Sequence, residues 1–219
     1  MRLMCVLLVG AFLVSCVHTQ NGERATWDEE RWGEIQPQEL DSSCGLASLL
    51  TIMRYHFGDT RFDERMLLAE YIRGASERAL QRAMRDGLSL LEIETLAQSV
   101  GYRTMRKMFT LYEVERVVTV TPVLVYLEIG QLRHFAVVRG ISGDVVWLAD
   151  SARGNIYYSR RQFLAEWRTP EALRGVWSRP GGLVLLRPEG KFNLELLREP
   201  TAQYPRSFFE LQRRMMRRQ

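Results

Sequence analysis

This chain of 219 residues has little with which to hold a metal or a nucleotide. Its three cysteines (Cys5, Cys16, Cys44) and three histidines (His18, His56, His134) show no zinc-type spacing, and it has no glycine-rich phosphate loop, internal repeat or low-complexity tract. Zinc-ribbon, P-loop and solenoid classes are excluded on those grounds, and no cofactor or metal is expected. The formal charge of +4 is modest and the basic residues are scattered until the C-terminus, so composition points to no nucleic-acid partner. What is present, 46% hydrophobic and 26% charged residues, is ordinary for one main globular domain.

The N-terminus has a thin basic start, Arg2, followed by an apolar run from Leu3 to Val14 that suits a signal-peptide core and is too short to cross a bilayer comfortably. Residues 1–15 are therefore expected to be a signal peptide. The run ends Leu13-Val14-Ser15-Cys16, which resembles a bacterial lipobox, a resemblance that implies lipidation of Cys16 and cleavage just before it. Because one acyl chain anchors only marginally, two or three are expected. Val17 follows in place of the Asp that resembles an inner-membrane retention signal, so in a Gram-negative host the expected location is periplasmic, on the outer membrane. An ordinary secretory signal cut a few residues later is the alternative. Residues 16–34 read as a lipidated polar tether, its end dockable through Trp27 and Trp32.

With Cys5 removed and Cys16 acylated, one thiol remains, Cys44. It lies in Gln38-Glu39-Leu40-Asp41-Ser42-Ser43-Cys44-Gly45, just ahead of an amphipathic stretch in which Leu46, Leu49, Leu50, Met53 and Phe57 share one helical face and Gly58 supplies the stop. Asp41, Ser42 and Ser43 are each acceptable N-caps. A thiol in the first turn of a helix sits at the positive end of its dipole, which favours thiolate and suits a nucleophile. The plainer reading is a small buried hydrophobe.

Further along, Asp63 to Arg73, Ser76 to Arg85 and Leu90 to Val100 show helical periodicity, Tyr102 to Met108 alternates like a strand, and Leu111 to Val118 is a short helix or connector. From Thr121 the signal turns to strands: Pro122 to Leu127, His134 to Val138, Val145 to Ala149, Ile156 to Tyr158 and Leu183 to Leu186, with a helix at Arg161 to Trp167. The joins at Gly130-Gln131 and Ser142-Gly143-Asp144 are too short for parallel crossovers, so antiparallel pairing follows. Helices first and a sheet of about five antiparallel strands second is the α+β pattern.

A cysteine nucleophile needs a base, a group to orient it, and donors for the oxyanion. His18 lies in the tether, and His56 sits three turns beyond Cys44 on the same helix, out of reach along the axis. His134 remains as the candidate base. Asp150 ends the following strand, where an orienting carboxylate is well placed, and Gln38 is a candidate oxyanion donor beside the Cys44 backbone N–H. Each has a bland alternative: a structural imidazole, a turn-forming aspartate, a solvated glutamine.

Together these segments resemble the bacteriocin-processing, papain-like cysteine peptidases that cut double-glycine leader peptides. The likeness covers about Ile35 to Arg187. It is carried by Gln38-x5-Cys44-Gly45, by Gly87-Leu88-Ser89-Leu90, by His134-Phe135-Ala136-Val137-Val138 and by Leu148-Ala149-Asp150-Ser151-Ala152-Arg153-Gly154. The resemblance implies Cys44 as nucleophile, His134 as acid/base, Asp150 as its orienter and Gln38 as oxyanion-hole donor. It also implies a papain-like fold, an N-terminal helical half packed on a C-terminal antiparallel sheet, over residues 35–188. Two positions depart from the pattern, Ser43 where the family often has Asp and Ser151 where it has Pro. The exporter-fused members carry membrane spans and a Walker motif; this sequence has neither.

The layout of signal, tether, peptidase domain and tail is similar to that of the peptidase-like components of functional-amyloid export systems. An envelope cysteine endopeptidase cutting an exported polypeptide or its leader is therefore expected, with a polypeptide substrate and the membrane, through its lipid anchor, as partners. Oligomeric state is not legible. The alternatives are an idle peptidase-like module that binds or chaperones an exported chain, and a papain-like peptidoglycan hydrolase. Residues 189–219 interleave Phe208, Phe209, Leu211, Met215 and Met216 with arginines, which reads as a basic helical extension, either docked or touching an anionic membrane or a partner protein.

Overall fold

The computed structural model describes residues 27–168 and 180–186. The expected signal peptide, Cys16, the first part of the tether and the basic extension lie outside the described residues. Within them, seven α-helices and six strands alternate as the sequence orders them, helices first.

Local chemistry explains most helix starts. Helix α3 (Glu64–Gly74) is capped by Asp63, whose carboxylate accepts from Met66 N–H, and α4 (Glu77–Asp86) by Ser76. A reciprocal Ser/Thr-x-x-Glu/Gln capping box opens α5 (Leu90–Ser99), α6 (Leu111–Val117) and α7 (Arg160–Glu166). Helix α2 (Cys44–Thr51) is shorter than the periodicity predicts. Ile52–His56 continues it as a π-turn, and Gly58 stops the chain at φ 68°. Thr51, at the junction, donates its hydroxyl to the Ala47 carbonyl, a bond of the kind that bends helices.

The sheet is antiparallel throughout, in the order β1-β6-β2-β3-β4-β5, with β1 Arg103–Met108, β2 Val123–Ile129, β3 Leu132–Ser142, β4 Val145–Asp150, β5 Gly154–Ser159 and β6 Gly181–Leu186. It has six strands where about five are expected. Strand β1 joins because β6 returns to lie between it and β2, a pairing of distant segments that no local pattern reports. Both faces are covered. Leu46, Leu49, Leu50, Ile93 and Leu96 from α2 and α5 pack on Leu124, Phe135, Val137 and Leu183; Val114, Phe163 and Trp167 pack on Val125, Ala136, Val138 and Leu148 behind.

One boundary needs correction. Residues 27–34, read as the end of the tether, include helix α1 (Trp27–Trp32), and this segment packs against β5. The Asn155 amide donates to the carbonyls of Glu30 and Gly33, and buried Arg139 pairs with Glu34 at 2.6 Å and stands over the Trp147 ring. Gly154 (φ 86°) permits the contact, since a Cβ there would lie 2.6 Å from Arg31 Cγ and from its carbonyl oxygen. The folded unit therefore begins before Ile35, because polar partners on the sheet hold a segment whose own sequence is mixed.

Candidate active site

Cys44 is the first residue of α2 and is buried, 9% exposed. No side chain caps that helix: Ser43 turns its hydroxyl back to donate to the Leu40 carbonyl at 2.6 Å. The Asx- or Ser-type cap expected from sequence is absent, so the first N–H groups of α2 keep their positive end beside the sulfur.

Two contacts seat this helix end, one against β3 and one against α5. Ser48, one turn beyond Cys44, donates its buried hydroxyl to the Phe135 carbonyl at 3.2 Å, tying the cysteine turn to the residue after His134. Gly45 permits the close approach, because a Cβ there would lie 2.7 Å from Ile93 Cδ1 and 3.4 Å from Phe135 Cδ2. The loop ahead of Cys44 is held from the other side. Buried Glu64, the first residue of α3, accepts from Glu39 N–H at 3.1 Å and from Leu40 N–H at 3.1 Å.

His134 stands near the start of β3 and Asp150 at the end of β4, the same end of two paired strands. His134 Nε2 lies 3.0 Å from Asp150 Oδ1, an ion-pair separation whose N–H is not aligned as a hydrogen bond. Cys44 also acts on the ring from α2, while the Nδ1 nitrogen is not the one that faces Asp150. Burial favours the neutral imidazole, but Asp150 and Cys44 outweigh it and push the His134 pKa up to about 9. For Asp150 burial acts upward, and His134 with Arg153 hold the carboxyl down at about 2. His56 is buried and remote, and its desolvation, with Arg139 nearby, lowers it to about 4, which keeps it neutral.

Gln38 comes to the same region through Ser151. Its backbone N–H donates to the Ser151 carbonyl at 3.0 Å, and the Ser151 hydroxyl donates to Gln38 Oε1 at 3.3 Å. Ser151, a departure from the family pattern, thus takes the amide oxygen of Gln38 and leaves the NH2 end as its donor group. Sequence reasoning missed Ser48, Glu64 and Arg153. Ser48 had a signal, a hydroxyl on an otherwise apolar helix one turn from Cys44; the partners of Glu64 and Arg153 are set by loop geometry. Among the described residues, no group of three or more His, Cys, Asp and Glu side chains is arranged to hold a metal ion.

An antiparallel sheet flanked by helices, with a cysteine opening a helix on one face beside a strand histidine, makes this fold that of a papain-like cysteine peptidase. The chain belongs to the Peptidase C39 family, whose model matches residues 33–173. A Pseudomonas fluorescens relative described as a probable functional amyloid protease FapD is 32% identical over 143 residues, covering 64% of this chain and 59% of the relative. The chain spans 59% of the length of the curated relatives it matches. Among solved structures, the peptidase domain of Streptococcus ComA, a bi-functional ABC transporter, matches with a TM-score of 0.52 at 17% identity, covering 70% of this chain and 97% of that one. A double glycine motif protease from an AMS/PCAT transporter, solved with its leader peptide, matches with a TM-score of 0.50 at 17% identity, covering 69% and 89%. At that identity the likeness is one of fold.

Proposed function

We propose that this chain is a cell-envelope cysteine endopeptidase that cleaves an exported polypeptide or its leader in functional-amyloid or biofilm export. The observation that carries the reading is the line Cys44–His134–Asp150, a sulfur at an uncapped helix N-terminus beside an imidazole that a buried carboxylate holds 3.0 Å away. In this reading Cys44 gives its proton to His134 Nδ1 and its sulfur attacks the scissile carbonyl carbon. The oxyanion is met by the Cys44 backbone N–H and the Gln38 amide. His134 then protonates the departing amine, leaving a thioester. Water, deprotonated by His134, attacks that thioester, releasing the acid and restoring the thiol.

The export context is supported by the description of the curated relatives as probable functional amyloid proteases. Lipidation of Cys16 and an outer-membrane, periplasm-facing location are supported by Leu13-Val14-Ser15-Cys16-Val17. Comparing secreted and envelope proteins by mass spectrometry between wild type and Cys44→Ala tests the function. Loss of specific cleavage products in Cys44→Ala and in His134→Ala is the expected result. Unchanged processing by folded Cys44→Ala would refute the mechanism, and equal complementation of a deletion by wild type and Cys44→Ala would favour the binding-module alternative.

A further inference from the structure

We propose that Arg153 is a positioning residue for this site: its guanidinium takes one oxygen of Asp150 and so fixes the other against His134. The proposal rests on the catalytic reading above. Arg153 Nε donates to Asp150 Oδ2 at 2.8 Å, and Nη2 lies 2.7 Å from the same oxygen. Oδ1 accepts the backbone N–H groups of Ala152 and Arg153, each at 2.9 Å, and faces His134 Nε2 at 3.0 Å. With the carboxylate fully buried, neither oxygen can turn to water, and rotation would break contacts at both ends.

Arg153 is itself braced. Its Nη1 donates to the Tyr158 hydroxyl at 2.7 Å, and its carbonyl accepts from Arg31 Nε at 3.0 Å, so β5 and α1 both hold it. The guanidinium is therefore a fixed cation, and Asp150 serves two cations at once, Arg153 and the imidazolium of His134. The charged and titratable groups around them are few. His134 is faced by Cys44 from α2 and Asp150 from β4, while its chain neighbour Arg133 is paired with Asp86, 3.7 Å away. Asp150 is faced by Arg153, Arg153 by Tyr158, and Tyr158 by Glu166.

Removing the guanidinium has two consequences of definite sign. Asp150 loses a cation that keeps it ionised, so it takes up its proton at higher pH and the imidazolium loses its partner earlier as pH falls. Above that point the whole field of Asp150 acts on His134, so the imidazolium persists to higher pH. Both limbs of the pair's pH profile move upward. An arginine that merely packed would lower reactivity at every pH and move neither limb.

The test uses the full chain and iodoacetamide, with the alkylation rate of Cys44 read by peptide mass spectrometry from pH 3 to pH 10. Arg153→Gln should move the upper limb upward by on the order of one pH unit and raise the lower limb, which in wild type lies at about 2, toward or into the measured range. Arg153→Lys keeps the charge but makes one contact in place of two, so its limbs should stay near wild type with a lower plateau. An Arg153→Gln profile whose limbs superpose on wild type would overturn the proposal. Should Arg153→Gln fail to fold by circular dichroism, Arg153→Met, which also removes the charge, carries the same test, and limbs there that superpose on wild type would overturn it. Wild-type alkylation unaffected by His134→Ala would instead overturn the catalytic pair, and the role of Arg153 with it.

Discussion

Replacing His134 with Gln should remove about 3 kcal/mol of stability that is present below pH 6.5 and lost as pH rises through 9. His134 is 4% exposed, and burial by itself would favour the neutral ring; the Asp150 carboxylate at 3.0 Å and the Cys44 sulfur reverse that and lift its pKa from 6.5 to about 9. At 1.36 kcal/mol per unit, that difference makes the folded imidazolium worth about 3 kcal/mol to the native state. Because the folded value is the higher one, the contribution is complete below pH 6.5 and disappears as pH rises through 9. Urea denaturation of wild type and His134→Gln at intervals from pH 6 to pH 10 measures it, since subtracting the two curves removes the tyrosine and lysine titrations they share. The stability gap should shrink by about 3 kcal/mol across the interval. In a Cys44→Ala background the shrinkage should be smaller, because one of the groups holding the proton is gone. A gap that stays flat from pH 6 to pH 10 would show that the imidazole is not held charged by its neighbours, and the reasoning would fail.

Three further substitutions follow from the packing around the sulfur. Gly45→Ala gains helix propensity but forces a methyl against Ile93 within the core; a net loss of about 1–3 kcal/mol is expected, with slower Cys44 alkylation as α2 is pushed off α5. Ser48→Ala deletes the hydroxyl that donates to Phe135, and thermal unfolding should report a loss of about 1 kcal/mol together with reduced Cys44 reactivity. Glu64→Gln puts an amide where a buried carboxylate accepts from Glu39 and Leu40; hydrogen exchange at those two amides should accelerate, with a stability cost of about 1–3 kcal/mol. Unchanged exchange would mean that the loop carrying Gln38 is held by something else.

Much of the molecule is written in short-range patterns. Capping boxes at Ser89, Thr110 and Ser159 mark where helices begin, and Gly130 and Gly143, both at positive φ, mark the two hairpin turns. These rules act over three or four residues, so a linear reading finds them. Cys44 at the head of α2 is legible in the same way, and elimination among three histidines leaves His134 as the base proposed for it. The docking of residues 27–34 is expected from Trp27 and Trp32, but its partners, Asn155, Arg139 and Gly154, lie more than a hundred residues away and leave no periodicity to read.

The sequence alone settled which residue types were available for chemistry and roughly where helices and strands lie, since propensity, capping and periodicity are local. Only the tertiary structure could put Ser48 on the carbonyl of Phe135, Gln38 beside Ser151 and Arg153 across Asp150 from His134. Those contacts depend on hydrogen-bond geometry over a few ångströms between segments distant in the chain or folded back in a tight loop, and that information exists only once the two faces of the sheet have been buried.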